Sequence, residues 1–127
     1  MLFRSLGGKS PQVVFEDADL ELAAATVCKA IIQNSGQTCS AGSRVLVQRT
    51  VLDRFRALLV DRFAEVRIGR PEDDADLGPV INPTQQRRVL DFIETARADG
   101  LPVIAQTPVP QTLGRWVSWH WWFVQER

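Results

Sequence analysis

Three stretches of the chain repeat apolar residues at three- and four-residue steps, the spacing that places side chains on one face of a helix. They predict helices over residues 18–34, over a stretch that begins after Thr50, and over about 84–99. The predicted buried positions are Leu20, Ala24, Val27 and Ile31 in the first helix, Leu52, Phe55, Leu59 and Phe63 in the second, and Val89, Phe92, Ile93 and Ala96 in the third.

The ends of these helices carry residues typical of helix boundaries. Asp17 is predicted to cap the first helix, because its carboxylate can accept from free amide groups of the first turn. Thr50 is predicted to cap the second helix, with Asp53 completing a capping box. Gly36 and Gly100 are predicted to end the first and third helices, Gly36 by taking the left-handed conformation.

Shorter apolar runs with β-branched residues predict strands at Pro11–Phe15, Arg44–Arg49 and Val103–Ala105. Gly69–Pro83 is predicted to be a loop, since it is rich in proline, glycine and aspartate. The order of elements favours an α/β fold with a partial layered, mainly parallel sheet and flanking helices. Such a thin sheet would leave both edges open unless another segment or chain covered them.

Composition excludes several classes of protein. The 127 residues suit one domain, and fifteen basic residues balance fifteen acidic ones, which argues against non-specific nucleic-acid binding. No apolar run approaches the ~18–20 residues that span a membrane, and the start lacks the pattern of a signal peptide. Two cysteines do not make a disulfide scaffold, so a cytoplasmic protein without nucleic-acid or membrane partners is expected.

Cys39 is the residue best placed for chemistry. It follows the end of the first predicted helix in a loop of small and polar residues, Gly36–Ser43, where a thiolate would be accessible and backbone N–H groups could converge on it. These features alone also fit a small buried loop cysteine. Cys28 lies in the middle of the helix among apolar residues, and a structural role is expected for it.

Other candidate sites are weaker. His120 could pair with Cys39 in a thiol esterase only if the chain brought them together, and the ligand spacing of a zinc site is missing. The segment Gly7–Ser10 is reminiscent of a phosphate loop but lacks the upstream glycine of that motif. The acidic run Glu72–Asp76 is expected to be a solvated loop rather than a metal site.

Several motifs, in order from Leu6 to Ile104, are similar to those of the NAD(P)-dependent aldehyde dehydrogenase superfamily. They are Leu6–Pro11, Asp17–Glu21, Asn34-x-Gly36-Gln37-x-Cys39-x-Ala41-x-x-Arg44, Leu77–Ile81 and Gln85-x-x-Arg88-Val89. The resemblance implies a fragment of the family's catalytic domain, with Cys39 as nucleophile and its backbone N–H as an oxyanion donor. It also implies a small-molecule aldehyde as substrate, a thiohemiacetal and then a thioester on Cys39, and NAD or NADP as hydride acceptor.

The chain also departs from the family pattern. Ser5 stands where the family has its general-base glutamate, and a serine hydroxyl cannot take a proton from water near neutral pH. The resemblance further implies a cofactor domain, a glutamate that holds the nicotinamide ribose and an oligomerisation strand, none of which this sequence contains. We therefore expect a truncated chain that is inactive alone, retains no confident cofactor-binding residue and has lost the family's oligomerisation.

The end of the chain differs in composition from the rest. All four tryptophans lie between Trp116 and Trp122, and the family pattern fails from about Thr107. Residues 1–106 are therefore predicted to form the partial catalytic domain and residues 107–127 an anomalous Trp-rich tail. Our hypothesis for the origin of this tail is translation in a shifted reading frame. The alternative function is a non-catalytic interaction module that binds a partner through open sheet edges and this tail.

Overall fold

The structure is a computed structural model and describes residues 8–105 and residue 107. Its strands and helices, in chain order, are β1 (Pro11–Val14), α1 (Leu20–Ile32), β2 (Arg44–Val47), α2 (Leu52–Glu65) and α3 (Pro83–Ala98). Short 3₁₀ turns lie at Gln33–Gly36, Arg49–Val51 and Pro71–Asp73. None of the helices in the described ranges is long and apolar enough to cross a membrane.

β1 and β2 form a parallel pair, in register from Pro11 opposite Arg44 to Val14 opposite Val47, and α1 makes the crossover between them. This arrangement confirms the predicted α/β class with parallel strands. β2 is shorter than predicted, because the chain turns into a 3₁₀ helix at Arg49. At Val103–Ala105 the predicted strand is reduced to a single β-bridge residue, Val103, and the sheet in the described part of the chain consists of β1 and β2.

The core lies where α1 packs against α2. Both helices bury the faces that the sequence predicts, and β1, the segment after α2 and the 77–80 segment complete the cluster. The fully buried large side chains of this core include Phe55, Phe63 and Leu77. Leu52, also predicted to be buried, is only half-buried at the first turn of α2.

α3 has the predicted position but not the predicted burial. It has no buried residue, and Phe92 is 65% exposed. Val89 packs on the core, while Ile93 and Ala96 are half-buried. α3 thus has the predicted apolar face, but no described segment covers the part that carries Phe92. The Arg88 guanidinium lies 6.0 Å from the centroid of the Phe92 ring.

Two of the predicted helix caps are wrong. Asp19, not Asp17, caps α1, because its Oδ1 accepts from the Leu22 N–H at 3.1 Å and the helix begins two residues later than expected. Thr50 lies within the 3₁₀ turn before α2 and donates to Glu16 Oε2 at 2.9 Å, so its hydroxyl is engaged away from the helix.

The predicted end of the third helix is confirmed, since Gly100 has φ +73° just after α3. Gly36 takes the predicted left-handed conformation at φ +70°, but α1 ends earlier, at Ile32, and Gly36 lies at the end of the 3₁₀ turn that follows. A cap that the sequence reading did not identify is Asn82, whose Oδ1 accepts from the Gln85 N–H at 2.8 Å at the start of α3.

Candidate functional site

Cys39 lies in the loop between α1 and β2, and its side chain is exposed. The loop begins with three consecutive residues of positive φ, Asn34 at 49°, Ser35 at 56° and Gly36 at 70°. Only glycine takes this conformation without cost, so the first two residues store backbone strain of about 1–2 kcal/mol each. The run turns the chain sharply away from α1 and carries the cysteine out of the core.

The segment 77–81 holds this strained turn in place. The buried Ser35 hydroxyl is 2.9 Å from Gly78 O and 3.3 Å from Pro79 O, and the Ile81 N–H donates to Gln37 Oε1 at 3.0 Å. The cysteine motif, Asn34–Arg44, is therefore in direct contact with the Leu77–Ile81 motif. In the sequence, only the family resemblance links these two motifs.

A second set of contacts comes from alternate residues just before and within β1, as expected where an extended chain turns every second residue to the same side. The Ser10 hydroxyl donates to the Cys39 carbonyl oxygen at 2.6 Å, and Gln12 Nε2 donates to Gly42 O at 3.1 Å. Gly8 lies directly against the same Cys39 carbonyl, because a Cβ at this position would overlap its oxygen. The carbonyl groups of the Cys39 loop are thus held by three alternate residues, Gly8, Ser10 and Gln12.

This placement accounts for the described part of the phosphate-loop-like segment. Gly8 and Ser10 face the Cys39 carbonyl, and the Lys9 carbonyl accepts from Arg44 Nε at 3.0 Å. These residues support the cysteine loop rather than form an open anion cradle. The sequence reading did not predict roles for Ser10, Gln12 or Ser35. For Ser10 and Gln12, the sequence feature that could have indicated these roles is their spacing of two residues, which places both side chains on the same side of an extended chain.

Cys28 has an environment opposite to that of Cys39. Its side chain is only 6% exposed, and Sγ lies 3.9 Å from Arg62 O. Burial raises the pKa of the Cys28 thiol to about 11, against the opposing effect of the Arg62 charge. A thiol in this state is neutral at physiological pH and is a poor nucleophile. It borders an open groove of about 860 Å³ between α1 and the end of α2.

The acidic run forms turns with arginines and does not converge on a metal. The Arg70 N–H donates to Asp73 Oδ2 at 2.8 Å, and Asp76 Oδ2 accepts from Arg67 N at 3.0 Å and Arg67 Nε at 3.3 Å. The hydrogen bond from the Arg67 backbone N–H is the main cause of the lowered pKa of Asp76. Across residues 8–105, no group of three or more metal-ligating side chains is found.

Some of the predicted residues lie outside the described ranges. They are Ser5, at the position of the family's general base, His120, and the tail beyond Thr107. The interpretation of Ser5 as a lost base, the Cys39–His120 pairing and the boundary between residues 106 and 107 all stay predictions.

Comparison with known proteins identifies the family of this chain. The model of the aldehyde dehydrogenase family matches residues 2–117. A betaine aldehyde dehydrogenase of Brucella anthropi is 41% identical over 110 residues, which cover 86% of this chain and 23% of that relative.

Solved structures agree with the sequence comparison. A crystal structure assigned as an aldehyde dehydrogenase from Burkholderia cenocepacia has a TM-score of 0.83 and 48% identity, and covers 87% of this chain and 23% of that protein. The betaine aldehyde dehydrogenase of Staphylococcus aureus, solved in complex with NAD+, has a TM-score of 0.79 and 35% identity over 85% of this chain and 22% of its own. The chain spans about a quarter of the length of these relatives. With its motifs in register along most of its length, it belongs to the aldehyde dehydrogenase family.

Proposed function

We propose that this chain carries the nucleophile segment of an enzyme that oxidises an aldehyde to a carboxylic acid, with NAD or NADP as hydride acceptor. One observation carries the proposal: Cys39 is exposed on a loop whose backbone is fixed by Ser10 on one side and whose turn is fixed by Ser35 on the other. Membership of the family supports Cys39 as the nucleophile, since the loop residues match the family's cysteine motif.

The covalent step follows from the chemistry of an exposed thiolate. The Cys39 sulfur attacks the aldehyde carbonyl carbon, a C–S bond forms, and the π electrons of the carbonyl move to its oxygen. The backbone N–H of Cys39 is adjacent to the forming C–S bond and donates a hydrogen bond to that oxyanion. A nicotinamide bound beside this tetrahedral adduct would accept its hydride and leave a thioester on Cys39, which a free aldehyde could not form.

The described residues do not fit a dinucleotide cofactor. Neither strand-to-helix turn, Phe15–Asp19 or Gln48–Val51, contains a glycine, although a Rossmann-type pyrophosphate site requires glycines at such a turn. Gly8 and Ser10 are engaged with the Cys39 carbonyl. The S. aureus relative was solved with NAD+, and we place the corresponding site of this family member outside the described residues.

We further propose that thioester hydrolysis is slow in this chain. Ser5 stands at the position of the family's general-base glutamate, and its hydroxyl remains protonated near neutral pH. An acyl group placed on Cys39 should therefore persist. No observation on the described residues favours the interaction-module alternative, and family membership supports the enzyme interpretation.

Acylation of Cys39 by p-nitrophenyl acetate tests the proposal without a cofactor. The Cys39 thiolate displaces p-nitrophenolate and retains the acetyl group as a thioester. We expect a burst of p-nitrophenolate approaching one equivalent per chain, followed by slow turnover, with the acetyl group located on Cys39 by peptide mass spectrometry.

Two variants make the result specific. Cys39→Ala should abolish the burst, whereas Cys28→Ala should preserve it, because the buried thiol is protonated at neutral pH. Acetylation at other residues, or a burst that survives in Cys39→Ala, would contradict the proposed role of Cys39.

A further inference from the structure

We infer that Ser10 is a positioning residue for Cys39: its hydroxyl orients the peptide that follows the cysteine and so sets the direction of the cysteine's own N–H and Cβ. The inference rests on the proposed function of Cys39 as nucleophile. It starts from the 2.6 Å hydrogen bond that Ser10 Oγ donates to the Cys39 carbonyl oxygen.

The two peptide planes that flank the Cys39 Cα are both held. The following plane contains the Cys39 carbonyl, which is fixed by the Ser10 hydroxyl and by the close approach of Gly8. The preceding plane contains the Thr38 carbonyl, which accepts from the Ala41 N–H at 3.4 Å. That plane also contains the Cys39 N–H, which points away from the Thr38 oxygen in a trans peptide. Holding both planes leaves φ and ψ of Cys39 little freedom.

Ser10 is itself held on both sides along the chain. Pro11 begins β1 opposite Arg44, and the Arg44 side chain donates from Nε to the Lys9 carbonyl at 3.0 Å. Gln12, in β1 two residues beyond Ser10, donates from Nε2 to the Gly42 carbonyl at 3.1 Å. The Ser10 hydroxyl therefore reaches the Cys39 loop from a segment that is fixed directly before β1, so its hydrogen bond can hold the Cys39 carbonyl in a defined position.

The hydrogen bond from Ser10 should affect stabilisation of the oxyanion rather than the reactivity of the Cys39 sulfur. Attack by Cys39 on a carbonyl requires its N–H to point at the developing negative charge, whereas alkylation of the same sulfur creates no oxyanion. Removing an oxyanion donor outright costs about 10²–10³-fold in rate, so misaligning one should cost about 10-fold. Ser10 should thus affect acylation of Cys39 and leave its alkylation nearly unchanged.

The experiment compares two reactions at Cys39 in the whole chain, acetylation by p-nitrophenyl acetate and carboxamidomethylation by iodoacetamide. We expect Ser10→Ala to lower the acetylation rate about 10-fold and to change the alkylation rate by less than about 2-fold. Ser10→Thr, which keeps the hydroxyl donor, should restore acetylation. Ser43→Ala, at an exposed serine of the same loop, should change neither rate.

Slow alkylation of the buried Cys28 in the same samples reports that each variant is folded. A parallel fall of both rates in Ser10→Ala would overturn the inference, because loss of structure would then explain it. Unchanged acetylation in Ser10→Ala would overturn it as well, while the wild-type burst would leave the proposed role of Cys39 standing. Absence of acetylation at Cys39 in the wild type would instead overturn both.

Discussion

The two cysteines show how local structure assigns different chemistry to the same side chain. Cys28 lies on the inner face of α1, where removal from water raises its thiol pKa to about 11. Cys39 follows eleven residues later, after a turn of three positive-φ residues that takes the chain out of the core and exposes the sulfur. Only the second can meet a substrate that approaches from solvent.

The raised pKa of Cys28 predicts a pH dependence of stability. Its pKa rises from the ordinary 9.0 to about 11 on folding. Below the lower value both states are neutral and the folded state keeps its full stability. Between the two values the unfolded thiol ionises first, which favours unfolding, so stability falls as pH rises from 9.0 to about 11.

Urea unfolding of the wild type and of Cys28→Ala across this pH range checks the prediction. The free energy of unfolding should fall more steeply in the wild type, with an excess loss on the order of 2 kcal/mol at the upper end. The remaining groups are common to both proteins, so their contributions cancel in the difference. Parallel curves would contradict the prediction.

At the scale of elements, the site depends on contacts between segments that are distant in sequence. The turn after α1 meets the 77–81 segment through Ser35, and the cysteine loop meets the start of β1 through Ser10. The strained φ values of Asn34 and Ser35 persist because these contacts hold them. Removing the contacts between the turn and the 77–81 segment should therefore lower the free energy of unfolding of the chain.

Replacement of Ser35 tests that coupling. Its buried hydroxyl lies between the Gly78 and Pro79 carbonyl oxygens. Ser35→Ala removes this donor at a buried position, where water does not readily replace it. We expect a loss of about 1–2 kcal/mol in the free energy of unfolding, measured by urea denaturation. Ser40→Ala, at an exposed serine in the same loop, should cost less than about 0.5 kcal/mol. Equal effects of the two substitutions would mean that Ser35 does not brace the turn.

Sequence patterns predicted the elements better than they predicted what covers them. The apolar faces of α1 and α2 are buried as expected, because each helix finds the other. The third helix was placed correctly, yet Phe92 is 65% exposed, since periodicity identifies an apolar face but not a partner for it. The choice of Asp19 over Asp17 as cap was not predictable either, because both aspartates suit the position and the actual start of the helix decides between them.

The candidate site was likewise predictable from the sequence only in part. The loop composition suggested an accessible thiol at Cys39, but only the family resemblance distinguished it from a small structural cysteine. The bracing by Ser10 and Ser35 depends on which distant carbonyls the fold brings within reach, and no local pattern contains that information.

At the scale of the whole molecule, apolar surface remains on the described part. Val13 and Leu46 are paired across β1 and β2 and are 56% and 54% exposed, and Phe15 beside them is 60% exposed. The relatives are about four times as long as this chain. Uncovered sheet surface of this kind favours association of folding intermediates, so we expect the isolated chain to be only marginally stable.

The described residues also predict how far this chain can carry the reaction. Its described residues supply the thiol and the means to hold it, but no glycine-containing strand-to-helix turn for a dinucleotide. We therefore expect no NADH or NADPH from the chain with an aldehyde and either oxidised cofactor, measured by absorbance, even in samples that give the p-nitrophenolate burst. The full-length betaine aldehyde dehydrogenase of S. aureus provides the positive control for the cofactor assay.

The burst makes a negative result informative, because it shows in the same sample that Cys39 is accessible and reacts as a nucleophile. The opposite result would have a specific meaning. Reduced cofactor formed by the wild type and not by Cys39→Ala would show that residues outside the described ranges complete a dinucleotide site in this chain. Catalysis would then not require the remaining three-quarters of the length found in its relatives.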